Sequence, residues 1–264
     1  MTHKPGIKLA LAALFLSAAL PALSQTAGDD IRQGDEYYAK FDDAQALQAY
    51  MKAATAEPGN YEALWKTSRA SYDVADLMQP ANPKALEEQR KLYTQSMNYA
   101  RQAIKVNPND TWGHFFLSAA WGMYVLTQGK KEQVNASKQI KIEIDKAIEL
   151  DPKNDLAYHA RGKWHQRMAE IGGAERFFGG ILFGSIPKGS FEESVKAFQQ
   201  AIELNPNYGN HHLELGRTYL DMKKYDLAKA EFGKVLEMPK TTSKDEMFKK
   251  QAQTELDTLK KKGK

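Results

Sequence analysis

The histidine, serine and lysine residues of this chain do not occur at the spacings that catalytic or metal-binding sites require. The histidines on predicted helices are His114, His159, His165, His211 and His212. None belongs to an H-E-x-x-H pattern, and the adjacent His211 and His212 point to different faces of a helix. No G-x-S-x-G nucleophile elbow occurs, and Lys188-Gly189-Ser190 follows a helix and lacks the order of a phosphate-binding loop. The sequence therefore predicts no enzyme activity, no metal and no cofactor.

Aromatic and cationic side chains are instead spaced as a partner-binding surface would need them. Trp, Tyr and Arg dominate the energetics of binding interfaces, through large buried area and charge-assisted hydrogen bonds. The predicted binding residues, which would line one concave groove, are Trp65, Arg69, Tyr72, Trp112, Phe115, His159, Lys163, Arg167 and Arg217. Two alternatives stay open: tryptophans such as Trp112 and Trp121 could fill the interior, and Asp73 and Asp221 could neutralise the arginines.

These residues must be positioned by a repeating helical unit, because prolines and small residues recur in a fixed register. The prolines that close similar helix ends are Pro58, Pro108, Pro152 and Pro206. Ten residues after each of them stand Ser68, Ser118, Gly162 and Gly216. In the tetratricopeptide pattern the small residue marks a close helix crossing and the proline ends the second helix. We therefore predict an all-α, tetratricopeptide-like solenoid of about five helix pairs.

The predicted crossings and the end of the stack follow from the same register. Small residues expected at tight crossings are Ala53, Ala103, Ala147, Ala201 and Gly216. A last helix from about Ser243 would cap the open end, and Ser243 and Glu246 have the spacing of a capping box. The prolines lie 50, 44 and 54 residues apart, against a repeat of about 34. The excess falls between the small residue of the first helix and the alanine at the end of the second helix in pairs 2–4, which predicts longer helices or enlarged connections on one edge.

One of these enlarged connections, residues 172–190, combines six glycines with six large apolar residues. Because clustered aromatic side chains rarely stay exposed on a monomer, we expect Phe177, Phe178, Ile181 and Phe183 to be shielded against the stack. The glycine pairs at 172–173 and 179–180 would then act as bends. A surface patch for a partner or for lipid headgroups is the alternative.

The first 24 residues have the composition of a signal peptide. Lys4 and Lys8 precede an apolar run from Leu9 to Leu20, and cleavage is expected after Ser24. The run is shorter than the roughly 20 residues that a membrane-spanning helix needs. We therefore predict two segments, a signal peptide at 1–24 and a helical repeat domain at 25–264, in a periplasmic or secreted protein.

The composition of the chain restricts its chemistry and its partners. Without cysteine, the chain forms no disulfide and carries no cysteine-linked lipid. Its formal charge falls from +4 to +2 once Lys4 and Lys8 are removed, which is too mild to favour nucleic acid.

Four segments of the chain carry a resemblance to known proteins: LWKTSRASYDVA at 64–75, AIELDPKND at 147–155, FGSIPKGSFEESV at 183–195 and LGRTYL at 215–220. Together they resemble the regulator of microtubule dynamics family, a group of tetratricopeptide-like proteins. The resemblance covers about residues 60–256 and implies a tetratricopeptide-like helical fold. The family name also implies association with microtubules, but an exported chain would not meet tubulin.

Two functions follow from this sequence. The first is an exported, non-enzymatic tetratricopeptide repeat protein that binds a peptide or a partner protein in its concave groove. The alternative is a periplasmic receptor for a small organic anion, similar to the tetratricopeptide subunits that accompany solute transporters. It rests on the apolar insertion beside a cationic groove.

Overall fold

The computed structural model describes residues 26–183 and 185–264, and the predicted signal peptide lies outside these ranges. Within them the chain forms helices and short connections, with no strand. The helices are α1 (Ala27–Ala39), α2 (Asp43–Ala56), α3 (Tyr61–Leu77), α4 (Pro83–Val106), α5 (Thr111–Leu126), α6 (Lys130–Leu150), α7 (Asp155–Glu170), α8 (Gly173–Phe183), α9 (Phe191–Leu204), α10 (Gly209–Asp221), α11 (Tyr225–Glu237) and α12 (Asp245–Lys261).

The helices form five stacked pairs with a capping helix at one end, which confirms the predicted fold class. The pairs are α1 with α2, α3 with α4, α5 with α6, α7 with α9, and α10 with α11. Helix α12 packs on α11 and α10 at the end of the stack. Neighbouring helices bury their apolar residues together, and four core clusters follow one another along the stack.

The second helices of the first four pairs end in the same way. The last residues before the four prolines, Glu57, Asn107, Asp151 and Asn205, leave the helical conformation. The N–H of each donates to the carbonyl of the alanine four residues earlier. A proline favours an extended conformation in the residue before it, so each helix stops at this position. The local sequence therefore sets where each pair ends.

Close helix crossings occur where the register places small residues. A Cβ atom added at Gly216 would lie 2.5 Å from Cε1 of Phe232, and one at Gly162 would lie 2.8 Å from Cε1 of Phe198. The predicted crossing residues Ala53, Ala103, Ala147 and Ala201 are completely buried. In the second pair Ser68 donates to the carbonyl of Ser96 over 2.9 Å, so a hydroxyl bonds across the equivalent crossing.

The extra residues of pairs 2–4 are accommodated in two ways. Helices α3, α4 and α6 contain 17, 24 and 21 residues, whereas α1 and α2 of the first pair contain 13 and 14. The connection between α5 and α6 covers only residues 127–129. In the third pair the excess therefore lies in longer helices and not in the connection. In the fourth pair the excess forms the inserted helix α8.

Helix α8 contradicts the expectation that the apolar insertion is shielded. Its apolar residues Phe177, Phe178, Ile181 and Leu182 are between 63% and 71% exposed; the side chain of Phe183 lies outside the described part. The glycines at 179–180 lie inside the helix and do not bend the chain.

The orientation of α8 has two causes. Arg176 donates to the carbonyl oxygen of Met168 in α7 and, over 2.6 Å, to that of Pro187, which ties α8 to α7 and to the connection that follows α8. Ile186 is buried and packs against the glycine face, 2.9 Å from the position of a Cβ at Gly179. The glycine face of α8 therefore points inward, and its aromatic face points to solvent.

Candidate partner-binding surface

Three of the predicted binding residues meet in an aromatic stack. The rings of Trp65 and Trp112 lie 5.3 Å apart at an interplanar angle of 17°. Phe116 stacks on Trp112 at 5.9 Å and contacts Phe115 edge-on at 4.8 Å. These rings pack on the largest core cluster, so the interior role proposed for the tryptophans accounts for Trp112. The sequence reasoning missed Phe116, although its neighbour Phe115 was chosen.

Arg69 bonds to residues of the first pair. Its guanidinium lies 3.7 Å from the centroid of the Tyr38 ring and donates to the hydroxyl of Tyr50 over 3.1 Å. A guanidinium placed over an aromatic ring is attracted by the ring's quadrupole. Burial raises the pKa of Tyr38, and nearby Asp73 raises it further. Arg69 therefore connects α3 to α1 and α2.

Tyr72 lies beside a buried ammonium group from the far end of the chain. Nζ of Lys244 lies 3.0 Å from Oδ1 of Asp73, 3.1 Å from Oδ2 of Asp76 and 4.9 Å from the centroid of the Tyr72 ring. Lys244 is only 6% exposed. Burial acts to lower the pKa of Lys244, but Asp73 and Asp76 outweigh it, so the pKa is raised well above its ordinary value. The lysine is thus held in its charged form.

The residue before Lys244 also bonds to the start of the stack. The hydroxyl of Ser243 donates to the carboxylate of Asp43. Burial raises the pKa of Asp43, and the hydrogen bond from Ser243 opposes the rise. Residues 238–244, which join α11 to α12, therefore cross from the last pair to α2 and α3. The nine predicted residues include no member of this connection, since no local pattern marks it.

The structure contradicts one alternative, in which Asp73 and Asp221 neutralise the arginines, and one prediction, the capping box at Ser243. Asp73 pairs with Lys244 and not with Arg69, and Asp221 accepts from Gln166 over 3.0 Å and not from Arg217. The capping box at Ser243 does not form, because the Ser243 hydroxyl is used by Asp43.

Helix α12 begins at Asp245, two residues after Ser243, where the predicted capping box begins. Asp245, its first residue, accepts from the backbone N–H groups of Thr241 and Thr242, both over 2.6 Å. Its carboxylate thereby orders the turn that carries Lys244.

His159 lies inside the stack in a chain of hydrogen bonds. Its Nδ1 is 3.0 Å from Nδ1 of His211, whose Nε2 lies 2.9 Å from Oδ2 of Asp155. Burial, and then the charge of His211, set the pKa of His159 well below its ordinary value. Because a neutral His211 that donates from Nε2 must accept at Nδ1, His159 donates from its own Nδ1. His159 is therefore a neutral interior group.

Lys163 and Arg217 share one buried carboxylate. Nζ of Lys163 donates to Oε2 of Glu214, and Nη1 of Arg217 lies 2.8 Å from Oε1 of the same residue. Arg217 also donates to Gln251 and Glu255 of α12. Burial raises the pKa of Glu214, but the two cations outweigh it and lower the pKa to about 2. Both cations are therefore paired within the chain.

Arg167 differs from the other eight residues because it is exposed. Its guanidinium contacts Glu170, one turn further along α7, at 3.3 Å. The charged and imidazole groups of Arg69, His159, Lys163 and Arg217 bond to other residues of the chain. Arg167 is therefore the predicted residue best placed to meet a partner directly.

Two surface clefts in the described part lie away from the nine predicted residues. One, of about 640 Å³, lies beside α4 and α5 and is lined mainly by polar residues such as Arg90 and Gln95. The other, of about 460 Å³, is lined by the α1–α2 turn and the end of α3, including Phe41, Asp43 and Leu77. The second cleft shares Asp43 with the contact that holds Ser243.

The five stacked pairs and their cap define a tetratricopeptide-like helical-repeat protein. A thermophilic TPR protein of Thermus thermophilus superposes with a TM-score of 0.62 at 17% identity, covering 87% of this chain and 100% of that one. None of the described helices is both long enough and apolar enough to span a membrane.

The chain belongs to the family described as regulator of microtubule dynamics protein 1-3, whose pattern matches residues 30–260. Regulator of microtubule dynamics protein 1 of Mus musculus is 30% identical over 226 residues, which cover 85% of this chain and 71% of the mouse protein. The Bos taurus protein of the same name is 32% identical over 200 residues, covering 75% of this chain and 61% of the bovine protein. The chain thus spans about two thirds of these relatives.

Proposed function

We propose that this protein is an exported, non-enzymatic binding protein that holds a peptide or a partner protein on its concave side. The observation that carries the proposal is the connection between α11 and α12, which lies against α2 and α3 through Ser243 and Lys244. That surface therefore already accommodates an irregular, polar chain segment. Solenoids of this type present extended concave surfaces that bind partners.

The proposed partner differs from the one that the relatives' names indicate. Those relatives are named as regulators of microtubule dynamics. An exported chain would meet envelope or extracellular proteins and not tubulin. The organic-anion receptor is not proposed, because Lys163 and Arg217 are already paired with Glu214.

Site-specific photocrosslinking in the host tests the binding proposal. A photoreactive residue replaces exposed Arg167, and a matched control replaces Arg32, which is exposed and likewise paired with a carboxylate three residues away. We expect a protein crosslinked from position 167 and not from position 32. If neither position yields a crosslinked protein, or both yield the same set, the concave side is not the binding surface.

Cell fractionation tests the proposed export. We expect the mature chain outside the cytoplasm, with Gln25 as its first residue on N-terminal sequencing. A cytoplasmic chain that still begins at Met1 would contradict both the signal peptide and the argument against tubulin.

A further inference from the structure

The site that holds Lys244 has the features of a recognition pocket for a lysine side chain. Two carboxylates, of Asp73 and Asp76, contact the ammonium group, and the ring of Tyr72 lies beside it. The three partners belong to α3, whereas the lysine comes from a connection about 170 positions later in the chain. Burying an ammonium ion is costly unless it is paired and hydrogen-bonded, so the pocket is built for a positive charge.

A buried hydroxyl group beside the pocket has no partner. Tyr93 is 1% exposed, and its ring centroid lies 6.1 Å from that of Tyr72. Among the described residues, its hydroxyl oxygen forms no hydrogen bond. Burial raises the pKa of Tyr93, and the charges of Asp76 and Lys244 also act on it. Buried hydroxyls are nearly always satisfied, so this one is available to a ligand that fills the pocket more fully than Lys244 does.

The segment that occupies the pocket contributes mostly polar contacts. Its residues 241–244 are Thr, Thr, Ser and Lys, and the connection to α12 bonds through Ser243 and Lys244. The apolar anchors of the cap are further along, at Phe248, Ala252 and Leu259, which belong to the cluster formed with α10 and α11. Helix α12 can therefore stay docked when residues 241–244 leave the pocket.

We propose that the pocket formed by Asp43, Asp73, Asp76 and Tyr72 binds a lysine preceded by serine or threonine in a partner protein, and that residues 241–244 occupy it in the free protein. The inference rests on the proposed function, since it names the chemistry that the concave side recognises. The cleft lined by Phe41, Asp43 and Leu77 adjoins the same carboxylate and offers space for neighbouring partner residues.

Because residues 241–244 occupy the pocket, a free ligand must compete with them for it. A tethered segment acts at an effective concentration of about millimolar. A free ligand must displace it, so the apparent affinity falls by the fraction of molecules whose pocket is open. Removing the ammonium group of Lys244 should therefore increase the affinity for a free lysine peptide.

The probe is a fluorescent peptide with the sequence of residues 238–247, MPKTTSKDEM. Its binding is measured by anisotropy to the wild-type protein, to Lys244→Met and to the control Lys250→Met, which makes the same change at an exposed position of α12. We expect binding to Lys244→Met to be at least about 10-fold tighter than to the other two proteins. Replacing the peptide's own Lys244 by Met should abolish the binding, and so should adding Asp73→Asn and Asp76→Asn to Lys244→Met.

Equal binding to all three proteins, or binding that does not need the lysine of the peptide, would overturn the inference. A measurement on the wild-type protein covers the case in which Lys244→Met fails to fold. At saturating peptide, hydrogen exchange at residues 241–245 should accelerate because the segment is displaced. Unchanged exchange at these residues would also overturn it.

The outcomes separate this inference from the proposed function. If the peptide does not bind to Lys244→Met while position 167 still crosslinks a protein, the concave side binds a partner without using the lysine pocket. If position 167 crosslinks nothing while the peptide binds as expected, the pocket recognises lysine but the proposed binding of a partner along the concave side is wrong.

Discussion

At the scale of single residues, glycine determines how closely the helices of a pair approach. Gly216 lies against the ring of Phe232, which is completely buried. Gly34 and Tyr50 form the same contact in the first pair, where an added Cβ would lie 2.4 Å from the ring. Because the interior is closely packed, neither ring has space to move away. The small residues of the repeat are therefore required by packing and not by backbone conformation.

Gly216→Ala should destabilise the protein. The new methyl group would overlap Phe232, which we expect to lower the free energy of unfolding by about 1–3 kcal/mol. The control is Gly233→Ala in α11, where an added Cβ meets no atom within 4 Å. That change should raise stability slightly through the higher helix propensity of alanine. Thermal unfolding of both variants measures the difference, and equal shifts would show that the α10–α11 crossing is not tight.

Glu214→Gln should remove part of the acid sensitivity of the fold. The pKa of Glu214 is lowered to about 2 in the folded protein, from an ordinary value of 4.5. The contribution of this pKa shift to the free energy of unfolding is on the order of 3 kcal/mol. It is fully present above about pH 4.5 and is lost as the pH falls towards 2.

The stability difference between wild type and Glu214→Gln should accordingly shrink between pH 5 and pH 2. Urea unfolding at several pH values measures it, with the exposed Glu237→Gln as control. A difference that does not depend on pH would show that Glu214 is not held in its charged form by Lys163 and Arg217.

At the scale of elements, α8 is attached to the stack by few contacts. Arg176 donates to backbone carbonyl oxygens on both sides of the helix, and Ile186 packs beneath Gly179. Its aromatic face is exposed, so the helix buries little apolar surface. Elements of this kind open locally at low cost compared with global unfolding.

Arg176→Ala should loosen α8 without unfolding the stack. Loss of the hydrogen bonds to Met168 and Pro187 should increase the rate of chymotryptic cleavage at Phe177 and Phe178 several-fold, because mobile loops are cut first. The melting temperature should change little. Arg167→Ala, which removes a guanidinium bound to Glu170 alone, is the control. A large fall in melting temperature with unchanged cleavage would show that Arg176 supports the stack itself.

At the scale of the whole molecule, the connection at residues 238–244 couples the two ends of the solenoid. In an open stack each pair contacts its neighbours alone, and the ends fray independently. Here Ser243 and Lys244 bond to α2 and α3. Opening of the last pair should therefore also weaken the packing at the beginning of the stack.

Lys244→Met should weaken protection from hydrogen exchange at both ends. The variant leaves Asp73 and Asp76 as buried carboxylates without their cation, which is unfavourable. We expect faster exchange in α3 as well as in residues 241–245, whereas Lys250→Met should change neither. Faster exchange confined to α12 would show that the ends are not coupled through Lys244.

The sequence by itself determined the number of helix pairs, their limits and the positions of their crossings. Prolines at 58, 108, 152 and 206 and the small residues ten positions later act within one pair, over distances of a few turns. A signal of this kind is complete in the local sequence, since it depends on backbone conformation and on contacts between consecutive helices.

The tertiary structure alone decided which group each charged side chain meets. One alternative paired Asp73 with an arginine such as Arg69, yet its partner Lys244 lies 171 positions away. The outward face of α8 was likewise set by Arg176, which donates to carbonyl groups of α7 and of the connection after α8. Such pairings depend on how the stack curves and on which charges are buried together, because a buried ammonium group must find carboxylates wherever the fold brings them. No local pattern in the sequence contains that information.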